Sequence, residues 1–206
     1  MMTTWGYELI DSETIPGMLT LEEFNEITAN KYIMDSRAEP NMRAAASAIR
    51  NYCGWHVYPS LACEFSTTMF DKAVTLANSM LILQLPATFV TSVESITIDG
   101  VEYETYVLRP NGILRVYNLQ CTCFKPWAEV IVRYTAGIPD AAAAGIKELI
   151  AHRITHALES SAGIQSETTG GVSITYNANW VNNSRATALA DDNKEVLLPY
   201  RLRGVF

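Results

Sequence analysis

The chain has 206 residues, 49% of them hydrophobic and 18% charged. That is apolar material for one well-cored domain, or for a body with one sizeable insertion, and it excludes a disordered chain. The net charge of −7 argues against a protein that grips a phosphate backbone, which needs clustered Lys and Arg. Acid is concentrated early: Glu8, Asp11, Glu13, Glu22, Glu23, Glu26, Asp35 and Glu39 precede Pro40, against Lys31 and Arg37. Such an asymmetry reads first as solvated surface. No window approaches the ~18 apolar residues of a membrane span, and the start, Met-Met-Thr-Thr-Trp-Gly-Tyr-Glu, lacks the basic-then-apolar order of a secretory signal. With no export signal, Cys53, Cys63, Cys121 and Cys123 are expected to be reduced thiols in a cytosol.

In chain order, residues 1 to 18 have no clear period and read as an extended arm. Thr20 followed three residues later by Glu23 is a capping box and starts a short helix with Leu21, Phe24 and Ile27 on one face. Pro40 suits the first turn of a second helix; Met42, Ala45, Ile49 and Tyr52 form its apolar stripe and Gly54 its C-cap. From about residue 64 to 134 the period falls to two, the signature of strands. Asp99-Gly100 is a two-residue hairpin signal and Pro110-Asn111-Gly112 a second turn. Further on, Val130, Val132 and Tyr134 alternate with Ile131 and Arg133. The expectation is an antiparallel β meander set between helices.

Asp140 is a good N-cap for a long helix over residues 140 to 160. Its apolar stripe is Ala142, Ile146, Leu149, Ile150, Ile154, Ala157 and Leu158; Lys147, Glu148, His152, Thr155, His156 and Glu159 take the other side. A polar, glycine-rich stretch over 165 to 171 leads to a strand over 172 to 176. A last helical region is expected over 183 to 198, with a break at Asp191-Asp192-Asn193.

His152 and His156, at i and i+4, have the spacing of a zinc helix, H-E-x-x-H, but Arg153 stands where the general-base Glu would be, so that mechanism fails. A structural metal needs about two more ligands. Cys121-Thr122-Cys123 is not the C-x-x-C of a zinc knuckle, and Cys53 and His56 straddle a helix end. No histidine follows a nucleophile turn, and Gly170-Gly171 belongs to no phosphate loop. The sequence therefore assembles no catalytic site, no metal site and no cofactor site. What stands out instead is a polar hairpin from Gln165 to Tyr176 with Trp180 behind it, either inert surface or an element that adds strands to a neighbour.

The order of segments resembles the head–tail connector (adaptor, or head-completion) family of long-tailed bacteriophages. The resemblance is carried by Ala48-Ile49-Arg50-Asn51-Tyr52-Cys53-Gly54-Trp55, by Leu85-Pro86 with Val93-Glu94-Ser95-Ile96, and by Val132-Arg133-Tyr134-Thr135-Ala136-Gly137-Ile138-Pro139 running into Ile146-Lys147-Glu148-Leu149-Ile150. Gly163-Ile164-Gln165-Ser166-Glu167-Thr168 and Leu197-Leu198-Pro199-Tyr200-Arg201 complete it.

The resemblance implies an α+β protomer. Its helical-bundle body would be residues 19 to 62 plus 138 to 206, with a β-rich insertion over 63 to 137; the N-terminal arm over 1 to 18 lies outside the resemblance. It also implies a structural subunit of the virion neck that closes into a ring, commonly of about twelve copies. The ring would sit below the portal protein, extend the channel for double-stranded DNA without reading its sequence, and meet a stopper or tail-completion protein. The portal or subunit interface would hold Gln165, Glu167, Tyr176, Trp180, Leu197, Leu198, Tyr200, Arg201 and Arg203. The alternatives are another neck or tail structural protein, such as a stopper or tail terminator, and a small metal-dependent enzyme using His152 and His156.

Overall fold

The structure, a computed structural model, describes residues 2–10, 12, 14–33, 38–77, 80–119, 125, 127–159, 166–169, 172–175 and 191–202. The fold is α+β, with antiparallel sheets. It divides into two compact units: Met1–Pro16 with Tyr52–Ala142 and Leu198–Phe206, and Gly17–Asn51 with Ala143–Leu197.

The first unit is built on two sheets. One has the order β1-β2-β9-β5-β6, from β1 (Glu8–Leu9), β2 (Leu61–Thr68), β5 (Val90–Ile98), β6 (Val101–Glu102) and β9 (Glu129–Ala136). The other has the order β3-β4-β8-β7, from β3 (Val74–Ala77), β4 (Met80–Gln84), β7 (Tyr106–Arg109) and β8 (Ile113–Val116). This corrects the expected meander, since β9 lies between β2 and β5 instead of beside its sequence neighbour. A period of two fixes which residues face the core, but it does not choose the neighbouring strand.

The alternation itself is as expected. Val130, Val132, Tyr134 and Ala136 are fully buried on one face of β9, while Glu129 and Arg133 on the other face are exposed. Leu81, Leu83, Leu114 and Val116 form the matching buried rows of the second sheet. Asp99 (φ 50°) and Gly100 (φ 79°) both turn left-handed between the paired Ile98 and Val101, as a two-residue hairpin of type I′ requires.

Two glycines are demanded by contact as well as by φ. A Cβ on Gly112 would lie 2.0 Å from the carbonyl oxygen of Ala87, and one on Gly137 2.3 Å from that of Pro59.

The second unit holds most of the helices. α1 (Leu21–Ile27) carries the expected capping box: the Glu23 amide donates to Thr20 Oγ1 (3.2 Å) and the Thr20 amide to Glu23 Oε2 (2.8 Å). α2 (Ala38–Cys53) buries Met42, Ala45 and Ile49; its last two residues belong to the first unit, and Gly54 (φ 79°) ends it. α3 (Ala144–Glu159) buries Ile146, Ile150, Ile154 and Leu158 and packs against α1.

α3 starts later than expected. Asp140 opens a separate 3-10 turn, Asp140–Ala142, and its carboxylate accepts the Tyr58 hydroxyl. Ala142 is therefore exposed and outside the helical stripe. α4 (Asp191–Leu197) begins at the residues expected to break a helix. Acidic side chains are favoured at a helix N-terminus by its dipole, which suits Asp191 and Asp192 at the start of this helix. The earlier part of that expected helix, 183 to 190, lies outside the described residues. A short antiparallel pair, β10 (Ser166–Thr169) and β11 (Val172–Thr175), forms a third sheet. Among the described residues, four α-helices, two of them seven residues long, make the fold α+β without by themselves making a bundle.

Candidate assembly surfaces

The C-terminal segment is anchored in the first unit. The backbone N–H of Leu202 donates to the Cys53 carbonyl (2.9 Å), continuing past the left-handed Gly54. The indole N–H of the fully buried Trp55 donates to the Tyr200 carbonyl at 2.6 Å, and Thr88 Oγ1 donates to the same oxygen at 3.3 Å. Arg201 lies over the Tyr52 ring, 5.1 Å from its centroid, in cation–π geometry. Beneath this segment burial pushes the Cys53 thiol up to about 12, against the opposing charge of Arg201. The thiol stays protonated and serves as packing, not as a nucleophile.

The residues carried over from the resemblance are placed unequally. Leu197 is fully buried, Leu198 is 49% exposed, Tyr200 is half-buried and Arg201 is exposed. Of the described residues named for this interface, Leu198 and Arg201 are thus the exposed ones in this segment. Glu167 lies in β10, its backbone in register with Ile174. Gln165, Tyr176, Trp180 and Arg203 lie outside the described residues, as do Cys121 and Cys123.

The N-terminal arm is part of the sheet. β1 pairs with β2 through Glu8↔Glu64 and Leu9↔Cys63, and Tyr7 and Leu9 are buried. The Tyr7 hydroxyl accepts the His56 backbone N–H (3.1 Å) and lies 2.7 Å from His56 Nδ1. His56 Nε2 is 2.8 Å from the Ala136 carbonyl, which only accepts, so Nε2 carries the proton and Nδ1 accepts from Tyr7. Tyr7→Phe is expected to leave two buried His56 groups without their tyrosine partner and to lower stability by about 1–3 kcal/mol in denaturant unfolding.

Nearby, the Tyr134 hydroxyl is buried with no hydrogen-bond partner among the described residues. Burial, with Cys63 and Tyr7 adding to it, pushes its ionisation well above the ordinary range. Tyr134→Phe is expected to be neutral or stabilising by about 1 kcal/mol, because it removes a desolvated group and no bond.

On α3, Lys147 Nζ is 2.7 Å from Glu23 Oε1. Burial works upward on the Glu23 carboxyl, but the Lys147 hydrogen bond, the Thr20 bonds and the Lys147 charge outweigh it and hold the pKa below its ordinary value. A depressed carboxyl contributes stability above its unfolded pKa and loses it as pH falls through the folded one. Lys147→Ala is therefore expected to lower stability by roughly 0.5–1 kcal/mol at neutral pH, with the difference fading below about pH 4.3 in urea titrations at several pH values.

His152 and His156 are both exposed, their rings 6.4 Å apart and tilted 69°. Among the described residues no group of three His, Cys, Asp or Glu side chains gathers to hold a metal.

Sequence reasoning missed one surface. The Met69 N–H donates to the Ala128 carbonyl (3.0 Å), which brings Phe70 (69% exposed) and Trp127 (73% exposed) to the same end of the five-stranded sheet. A large apolar residue in a turn, as in Met69-Phe70-Asp71 and Pro126-Trp127-Ala128, is the signal that could have found them.

These features amount to a sheet scaffold that fixes an arm, a C-terminal segment and exposed apolar positions. The profile of one family, head completion protein, matches residues 17–201. The chain belongs to the head completion protein family, a family of structural virion proteins. The match spans both units and leaves the first sixteen residues outside it. Among solved structures, a chain from the virion of the native gene transfer agent (GTA) particle is similar at 18% identity, with a TM-score of 0.47, over 80% of this chain and 89% of that one. Comparison with curated proteins gives no match. No helix among the described residues is long and apolar enough to cross a membrane.

Proposed function

We propose that the chain is a head–tail connector subunit. Copies close into a ring, of about twelve by the family resemblance. The ring docks below the portal protein, extends the DNA channel and offers its far side to a stopper or tail-completion protein. The observation that carries this reading is the family match over residues 17–201. In this reading residues 19 to 62 plus 138 to 206 form the helical body, and 63 to 137 the β-rich addition. The exposed Leu198 and Arg201, with Tyr200 beside them, form the described part of the portal-facing segment.

A net charge of −7 suits a conduit, since like charge repels a passing duplex and gives it nothing to bind. Two helices of sixteen residues favour this reading over a stopper or tail terminator dominated by a β barrel.

The test is co-assembly with the cognate portal, followed by co-sedimentation and negative-stain imaging. Rings seated on the portal are expected. A chain that never joins the portal, at any concentration, overturns the reading.

A further inference from the structure

We infer that the outer edge of β7, in the four-stranded sheet, is a docking edge for the β10–β11 hairpin of a second copy of the chain. The inference deepens the ring reading above and supplies one contact between neighbours.

Among the described residues β7 pairs with β8 alone, in the register Tyr106↔Val116 to Arg109↔Ile113. Open edges invite strand addition unless they are shortened, bulged or charged. This one runs four residues and exposes Tyr106 (36%) and Val107 (40%). It is also the basic edge of the first unit: Arg109 is exposed at its end, and Arg115 stands in the neighbouring strand, opposite Val107. Arg115 Nε is buried without a hydrogen-bond partner, and neither arginine has an acidic partner among the described residues. The other edges differ. β3 carries no charge, while β1 and β6 are two residues long and acidic at Glu8 and Glu102.

The hairpin supplies the complement. β10 and β11 are four residues each and, among the described residues, pair with each other alone. An isolated two-stranded sheet is marginal in water and gains by joining a larger one. Its strands are Ser, Thr, Val and Ile with a single charge, Glu167. Strand addition matches four residues to four through main-chain hydrogen bonds, and an acidic strand on an edge with two arginines sets the choice of edge. Because each copy carries a net charge of −7, neighbours repel overall, and a local pairing of opposite sign gives them a defined place to meet.

The test is a charge swap, with association followed by sedimentation velocity over a range of concentrations and on portal-bearing heads. Arg109→Glu and Glu167→Arg are each expected to weaken copy–copy association about tenfold or more, and the double variant to recover most of it. Circular dichroism and thermal melts of each variant establish that the fold is intact. Rings that assemble equally well with either single variant, or a double variant that recovers nothing, overturn the strand docking and leave the ring reading standing. Recovery that appears in the thermal stability of monomers, without association, places the hairpin on its own chain and also overturns the proposal. A wild-type chain that stays monomeric even on portal-bearing heads overturns both.

Discussion

Replacing Gly137 with alanine is expected to be among the most damaging single-methyl changes in this chain. The residue sits just past β9 with φ 127°, a region that L side chains rarely adopt. A Cβ there would lie 2.3 Å from the Pro59 carbonyl oxygen, 2.5 Å from Ser60 Cα and 2.8 Å from Pro59 C. All three are backbone atoms, so no side chain can swing aside. The chain at this point is also tied on both sides: the Gly137 N–H donates to the Phe89 carbonyl (2.9 Å) and the Ile138 N–H to that of Val57 (2.8 Å). Moving the turn to relieve the clash strains both bonds. Strain and lost bonds together place the effect at about 4 kcal/mol or more. A thermal melt should fall by roughly 10 °C for a chain of this size. A melt within about 2 °C of wild type would show that the turn relaxes freely and that the contact is not limiting.

Trp55→Ala is expected to produce the second large effect, and a different one. Trp55 is fully buried and follows the left-handed Gly54 at the end of α2. Its removal loses a large buried aromatic, with a destabilisation of about 3–5 kcal/mol. It also removes the N–H that holds the Tyr200 carbonyl at 2.6 Å. The C-terminal segment then keeps the Leu202–Cys53 and Thr88–Tyr200 hydrogen bonds and the stacking of Arg201 on Tyr52. Trp55→Phe separates the two contributions: it retains most of the packing and loses only the hydrogen bond, at about 1 kcal/mol. Amide exchange should therefore quicken at Leu202 in Trp55→Phe while the sheet amides keep their protection. Equal exchange at Leu202 in wild type and Trp55→Phe would mean that the indole does not hold the segment. In the connector reading, Trp55→Phe also weakens capture by the portal, because Leu198 and Arg201 are carried by this segment.

Much of the fold is legible in the sequence, wherever local chemistry decides. Thr20 and Glu23 satisfy each other's backbone groups whatever surrounds them, and the capping box forms as expected. Asp99 and Gly100 tolerate positive φ by their own nature, and the hairpin follows. The alternation Val130, Val132, Tyr134 is burial written directly as residue type. The start of α3 is less legible. Asp140 is a good cap in isolation, but its carboxylate is engaged by Tyr58, distant in sequence, and the helix begins at Ala144.

The candidate surfaces divide along the same line. That Leu197 is buried while Leu198 is exposed follows from how α4 ends, and the spelling Leu-Leu-Pro-Tyr-Arg does not distinguish the two. The arm gave no period to read because β1 is two residues long. Tyr7 becomes meaningful only when β1 lies on β2 and brings its hydroxyl to His56. Phe70 and Trp127 are far apart in the chain and share one end of a sheet only because β2 pairs with β9.

By itself, then, the sequence determined the α+β class, the hairpin turns, the short capped helix and the family, because each depends on residue type and near-neighbour order. The tertiary structure alone decided that β9 sits between β2 and β5, that the arm is a strand of the sheet, and that Trp55 fastens the C-terminal segment. The physical reason is range. Capping, turn chemistry and alternation act over a few residues, whereas strand order, burial of one leucine over the next and a hydrogen bond across 145 positions are properties of the packed chain as a whole.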